Sequence, residues 1–332
     1  MSRFLVTGID VGHHSLKAVV VKSAGKHCSV VAYKDVPFSD AIFSDNQSIN
    51  HQKLVKKLKE LKKSLPMFSS HVAISLPDNA VISKVLNIDS ELEEREKEFA
   101  IYQAFAHQSP IPIEELSLDF VDITEQDSER GAGHTYQVYA TRKDVVEERL
   151  SVMKKAGFKP VLVDMQAHSL QKVWSLASEQ REVAENWMLV DIGLTQTSLC
   201  VAPPDSRPFF RDIVFGTSNM EGALEGDLTS GDVKKFFSEL NERLQKQIQM
   251  YNSVNPMRKL EGLWICGGGA TIEGLCIGLG RLINLKCELL NPLELIGAPS
   301  TPQSDQLQMN IFGCATGLAV QGVEWMGESH AT

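Results

Sequence analysis

The chain has 332 residues, enough for two domains or for one large domain with subdomains, and its 43% apolar and 23% charged residues match an ordinary globular protein with a sizeable core. Its 42 acidic residues against 33 basic ones leave a net charge of −9, which disfavours general binding to phosphate backbones or acidic lipid. No apolar run approaches a membrane span, Met1–Thr7 lacks the pattern of a signal peptide, and the six cysteines show no CxxC spacing. The cysteines read as reduced core thiols of a cytoplasmic protein.

Arg3–Asp10, Leu16–Lys22 and Cys28–Tyr33 follow one another closely enough to form an antiparallel meander. Residues 50–65 then change to helical period, with Leu54, Leu58, Leu61 and Leu65 on one face. Lys53, Lys56, Lys57, Lys59, Lys62 and Lys63 surround that narrow stripe. They are expected to form a solvated face rather than a membrane-lying one. His71–Leu76 returns to strand before Pro77.

Val81–Ile88 is expected as a strand, and Asp89–Ala106 as a helix capped by Asp89 or Ser90 with Glu91, Glu93 and Glu94 in its first turn. Strands over Leu116–Thr124 and Thr135–Thr141 are joined by a polar loop, and the helix Arg142–Lys155 ends at Gly157. Val161–Asp164 reads as a strand and Gln166–Ser178 as a helix.

Near residue 187 the opening pattern returns. Asp10-Val11-Gly12 ends one strand and Asp191-Ile192-Gly193 another, at a constant offset of 181 residues, with Thr197–Ala202 and Phe209–Phe215 following as second and third strands. This is an internal duplication of two related domains that face each other. A long helix is expected over Asp232–Tyr251, then the strand Gly262–Cys266, the triplet Gly267-Gly268-Gly269 and a helix over Ala270–Leu282.

Two hairpins and the glycine triplet carry the chemistry. In Asp10-Val11-Gly12-His13-His14-Ser15-Leu16-Lys17 and in Asp191-Ile192-Gly193-Leu194-Thr195-Gln196-Thr197, glycine permits a tight turn whose N–H groups can face an anion. Ser15, Thr195 and Thr197 add hydroxyls, and Lys17 adds a point charge for phosphate. Asp10 and Asp191 on opposing hairpins could hold a hydrated Mg²⁺. Gly267, Gly268 and Gly269 let the chain approach a flat or anionic ligand. Each motif alone is usually only a turn or a helix entry; their order along the chain is what points to a nucleotide cleft.

These residues resemble the actin-like ATPase superfamily, and within it the PilM family of type IV pilus assembly. Gly8-Ile9-Asp10-Val11-Gly12 with Ser15-Leu16-Lys17-Ala18-Val19, Leu76-Pro77-Asp78-Asn79-Ala80-Val81, residues 109–120, Gly157-Phe158-Lys159-Pro160, Gly267-Gly268-Gly269-Ala270 and Gly313-Cys314-Ala315-Thr316-Gly317 carry the resemblance. The chain departs from that family at His13 and His14, where small hydroxyl residues are usual, and at Lys246 and Arg243 on the long helix.

The resemblance implies an α/β, actin-like ATPase fold of two duplicated domains, with mixed sheets flanked by helices and a nucleotide cleft between them. It implies subdomain 1A over 1–75 plus 165–187, an inserted subdomain of the FtsA/PilM type, 1C, over 76–164, subdomain 2A over 188–216 plus 261–325, and 2B over 217–260. ATP and Mg²⁺ are the implied cofactors. Asp10, Gly12, His13, His14, Ser15, Lys17, Asp191, Gly193, Thr195, Gln196, Thr197, Gly267, Gly268 and Gly269 would bind them, and Asp10 and Asp191 would hold the metal.

Asp164 and Gln166, at the crossover between the halves, are candidates for placing a water near the γ-phosphate, against an even reading as strand end and helix cap; His168 just beyond is read as structural. The implied partner is the N-terminal cytoplasmic tail of PilN, an inner-membrane protein, in a groove between 1A and 1C. Other pilus assembly components and a second copy of the chain are further partners of that reading. It makes the protein a cytoplasmic adaptor, at most a weak ATPase, peripheral to the inner membrane through its partner and without an FtsA-type terminal anchor. The rival readings are a small-molecule kinase of the hexokinase or acetate-kinase type, an FtsA-like filament protein, and an adaptor of a related pilus or secretion system.

Overall fold

The structure, a computed structural model, describes residues 4–24, 27–38, 50–89, 92–124, 133–180, 186–220, 230–298 and 308–329. The chain divides into a larger unit, 1–75 with 153–332, and a smaller one, 76–152.

The larger unit is built on two sheets of five strands each, with matching order. In the first, β1 (Leu5–Val11), β2 (Ser15–Ala24) and β3 (His27–Pro37) form the expected antiparallel meander, with Asp10 opposite Lys17. Strand β4 (His71–Leu76) joins β1 in parallel. The second sheet repeats this with β9 (Trp187–Ile192), β10 (Thr197–Val201), β11 (Phe209–Ile213) and β12 (Gly262–Cys266), and Ser198 stands opposite Asp191. The edge strands are β8 (Lys159–Met165) beside β4 and β13 (Lys286–Leu289) beside β12.

The helices α4 (Gln166–Gln180) and α7 (Gly313–Ser329) pack on each other, α7 also against β1 and α4 against β10. Small residues permit this closeness. A Cβ on Gly8 would land on the Ala315 carbonyl, and one on Gly317 on the Ser169 carbonyl. Around the second sheet, Trp264 is fully buried, stacks on Trp187 at 5.5 Å and meets Trp174 edge-on at 6.5 Å. Trp174 Nε1 donates to the Trp187 carbonyl at 2.7 Å, so the buried indole keeps its hydrogen bond. The long helix α5 (Ser230–Val254) sends Phe236, Leu240 and Leu244 into the same core. Helix α1 (His51–Ser64), capped by Asn50 Oδ1 on the Lys53 N–H at 3.1 Å, buries Leu54, Leu58 and Leu61.

The smaller unit is a three-stranded antiparallel sheet, with β7 (His134–Arg142) between β5 (Val81–Ile88) and β6 (Leu116–Asp122). Helix α2 (Glu94–Gln108) buries Ile101 and Phe105 against Leu86, Ile88, Tyr136 and Val138. Helix α3 (Lys143–Lys155) then leads the chain out of this unit.

Three expectations are corrected. The second helix starts at Glu94 rather than near Asp89, because the Glu93 N–H is taken by the Glu96 carboxylate at 3.1 Å and fixes the helix start there; Ser90 and Glu91 lie outside the described residues. The inserted unit ends at Val152, not at 164, because β8 pairs into the first sheet. The helix expected over Ala270–Leu282 begins at Leu275, since Gly274 (φ +77°) takes the left-handed conformation and separates α6 (Leu275–Ile283) from a short 3₁₀ turn at Gly268–Thr271.

Candidate functional site

The ends of β1 and β9 bring the two hairpins to one place. In the first, the Gly12 N–H closes the turn on the Ser15 carbonyl at 3.1 Å, and the Phe38 N–H holds the His14 carbonyl at 3.0 Å. Lys17 Nζ lies 3.9 Å from Asp10 Oδ2, and both side chains are mostly buried. In the second, the Gly193 N–H bonds the Gln196 carbonyl at 2.9 Å, while the Thr217 and Ser218 N–H groups hold the carbonyls of Gly193 and Leu194. Thr195 Oγ1 stands 3.4 Å from His13 Nδ1, so side chains of the two turns meet.

Asp191 is the electrostatic centre. Burial, with the charge of Asp10 adding to it, raises its pKa from 3.8 to about 7, and Lys17 opposes the shift. Protein encloses it on several sides. A Cβ on Gly267 would land on Asp191 Oδ1 and on the Ile192 backbone, and Gly267 sits at φ +85°, so this position has both a spatial and a conformational need for glycine. The Gly267 N–H donates to the Asn310 carbonyl at 2.9 Å. Gly269 packs against the Ile192 side chain, whereas a Cβ on Gly268 would meet only the Ile192 carbonyl oxygen, at 3.9 Å. His13 has its pKa lowered by partial burial, against the pull of Asp10.

The expected site residues therefore separate into groups. Asp10, Gly12, His13, Lys17, Asp191, Gly193, Thr195 and Gly267 converge. Ser15 is buried at the same hairpin, and its Oγ has no hydrogen-bond partner. His14 is exposed, and Gln196 serves the turn through its carbonyl. Thr197 points into the core, where its hydroxyl donates to the Phe215 carbonyl at 2.8 Å.

Asp164 is occupied. One carboxylate oxygen takes the Met165 N–H at 2.7 Å and meets His168 Nδ1 at 2.6 Å, and the other accepts from Gln321 Nε2 at 3.0 Å. Gln166 opens α4 and its carbonyl accepts from Ser169 Oγ at 2.7 Å. Arg243 stacks 4.2 Å above the Phe215 ring, and Lys246 is exposed on α5.

Sequence reasoning missed the wall formed by the start of α7. A Cβ on Gly313 would stand 3.4 Å from Asp191 Oδ2 and from Cys266 Sγ. Cys314, which takes the Ser169 hydroxyl at 3.2 Å, is buried nearby. Burial, with Asp191 adding to it, pushes the Cys266 thiol well up. The available signal is the small-residue run Gly313–Ala319, which marks a close approach as much as a helix.

This site fits a nucleotide phosphate with a divalent cation on three observations. Ser15 Oγ is buried without a partner, the backbone at Gly268 is uncrowded, a Cβ there meeting only the Ile192 carbonyl oxygen at 3.9 Å, and two carboxylates stand with one lysine. Among the described residues no three His, Cys, Asp or Glu side chains gather to hold a metal by themselves. A cation at Asp10 and Asp191 would complete its shell with water and phosphate, as Mg²⁺ does.

Two sheets of matching strand order, paired hairpins at their facing ends and a glycine turn beside them define an actin-like ATPase fold. The profile of the type IV pilus assembly protein PilM family matches residues 8–225 and 218–323, and the chain belongs to that family. Among solved structures it is similar to a PilM-PilN type IV pilus biogenesis complex, at 24% identity and a TM-score of 0.76, over 96% of this chain and 98% of that one. It also shares its fold with the ethanolamine utilization protein EutJ from Carboxydothermus hydrogenoformans, at 12% identity, a TM-score of 0.52, and 96% and 90% coverage. A glycerol dehydratase reactivase matches at 7% identity, a TM-score of 0.53, and 96% and 100% coverage.

Proposed function

We propose that this PilM-family protein is an ATP-binding adaptor of type IV pilus biogenesis that holds the N-terminal cytoplasmic tail of PilN. The observation that carries the nucleotide half is the convergence of Asp10, Lys17, Asp191 and the unpartnered Ser15 hydroxyl beside the Gly267 turn. Lys17 would pair with phosphate oxygens, the N–H groups of the turns would point at them, and the uncrowded backbone at Gly268 would leave room for the rest of the nucleotide. A bound Mg²⁺ supplies positive charge that neutralises phosphate. The chain's own contribution is binding and orientation. Asp164, the sequence's candidate for water activation, already spends its carboxylate on the Met165 amide, His168 and Gln321, which favours holding a nucleotide over transferring its phosphate.

The partner half rests on the family and on its structural relative, a PilM-PilN complex. Within the smaller unit, α2 presents a cavity of about 520 Å³ lined by Arg95, Phe99, Tyr102, Ala106 and Ile113, with Phe99 64% exposed. Such a surface suits the apolar anchors of an extended peptide. Attachment through PilN would keep the protein at the inner membrane; no helix among the described residues is long and apolar enough to cross one. Calorimetric titration with a synthetic PilN tail, with and without Mg-ATP, tests the reading. Saturable binding whose affinity changes with nucleotide is expected, the two ligands favouring the same conformation of the chain. Absence of peptide binding in both states would overturn the adaptor role.

A further inference from the structure

The chain carries a net charge of −9, yet two lysine-bearing segments of the larger unit are tied to each other. On α1 the leucines spend the apolar stripe on the core, so the helix cannot lie on a surface through them. Lys59, Lys62 and Lys63 share a flank of the helix at spacings of three and four. Lys62 reaches sideways from it. Its Nζ donates to the Gly157 carbonyl and stands 5.4 Å from the centre of the Phe158 ring.

The Lys159 N–H donates to the Ser70 carbonyl at 2.7 Å, a second tie between the same two segments. These bonds join the end of α1 to the turn between α3 and β8, where Lys154, Lys155 and Lys159 are exposed. Glu60, on the same helix, is paired with Lys57 at 3.1 Å.

The turn that follows α1 adds an apolar element. Met67 and Phe68 are 78% and 81% exposed. Phe68 holds φ +70°, in the left-handed region that an aromatic residue avoids. The flanks keep it there. The Ser69 N–H and hydroxyl both donate to the Pro66 carbonyl, and the Ser69 carbonyl accepts from Thr7 Oγ1 at 2.9 Å. A strained backbone thus presents a thioether and a phenyl ring to water in the segment that runs from α1 to the Ser70–Lys159 bond. Neither side chain contributes to the core.

We propose that this face docks on an anionic membrane surface, the lysines against headgroup phosphates and Met67 and Phe68 inserted among the acyl-chain ends. Exposed apolar side chains in a segment flanked by lysine-bearing elements suit a bilayer, which demands charge and insertion depth but no matching pocket. The site would be a second, direct contact with the membrane, and it is independent of the nucleotide and PilN readings. It revises the expectation that the α1 lysines are only a solvated face.

The test is flotation of the full chain with vesicles of phosphatidylcholine alone and of phosphatidylcholine mixed with phosphatidylglycerol, without PilN. Binding to the anionic vesicles is expected, weakening as salt rises. A Lys63→Glu/Lys155→Glu variant should bind roughly tenfold more weakly or worse. Phe68→Gly should lose binding several-fold while melting at the same or a higher temperature, because glycine accepts φ +70° without strain. Equal recovery with both vesicle types, or variants that bind like the parent, would overturn the proposal. So would binding of soluble polyglutamate at these lysines with no vesicle binding, which would make the face a site for an acidic protein.

Discussion

The two hairpins occupy equivalent places in sheets of the same order, but they are not held or charged alike. The second turn is pinned from outside, with Thr217 and Ser218 fixing the carbonyls of Gly193 and Leu194. Among the described residues the first has one such tie, from Phe38 to His14. The first also brings its own cation, Lys17 across the β1–β2 ladder from Asp10, whereas Asp191 has Ser198 across from it. The two sheets share a backbone pattern, and the paired positions differ: Asp10 faces a lysine and Asp191 a serine. The pKa of Asp191, raised to about 7, is the mark of that division.

The comparison breaks most severely at Gly267. Gly267→Ala puts a methyl group onto Asp191 and the Ile192 backbone at a positive φ, so a loss of roughly 3 kcal/mol or more is expected in denaturant unfolding, together with loss of nucleotide binding.

Asp191→Asn sharpens the electrostatic side. Asp191's folded pKa lies above its unfolded one, so the native state holds a proton that the unfolded chain releases, and stability falls as pH rises from about 4 through about 7. Asparagine removes that penalty. In the nucleotide-free protein, Asp191→Asn should therefore gain stability over the parent as pH rises, by a few kcal/mol at most above pH 7 and by nothing in strong acid, while Mg-ATP binding weakens. Melting curves across that range check the sign. A gain that shrinks with rising pH would contradict it.

The smallest effects separate Thr195 from Thr197. Thr197→Val removes a buried hydroxyl from the Phe215 carbonyl and should cost about 1–3 kcal/mol of stability with nucleotide affinity unchanged. Thr195→Val should leave the melting temperature alone and weaken nucleotide binding by a few-fold, as read by calorimetry.

Much of the fold was legible because duplication writes itself as a constant offset, and Asp10–Gly12 and Asp191–Gly193 do end equivalent strands. The meander strands announce themselves by short turns, and β4, β5 and β12 by apolar runs cut by Pro77, Asp89 and Gly267. Long-range pairings were less visible. Nothing local tells that β8 joins the first sheet, or that Gln321, 157 residues away, satisfies Asp164. Thr195 and Thr197 look equivalent as hydroxyl donors, and only the register of β10 sends the second one into the core. The wall at Gly313 and Cys266 was hidden for the same reason, since those residues meet Asp191 only through the fold.

The central claim is that both hairpins serve one phosphate site. Its most direct test is a calorimetric Mg-ATP titration of the parent protein, of Lys17→Ala and of Asp191→Asn, each first shown to be folded. The account predicts one saturable site in the parent, with affinity lowered by about tenfold or more in each variant, since each removes a charge-based contact from opposite sides of the same ligand. A parent that does not bind Mg-ATP, or variants that bind it as tightly as the parent, would contradict the account.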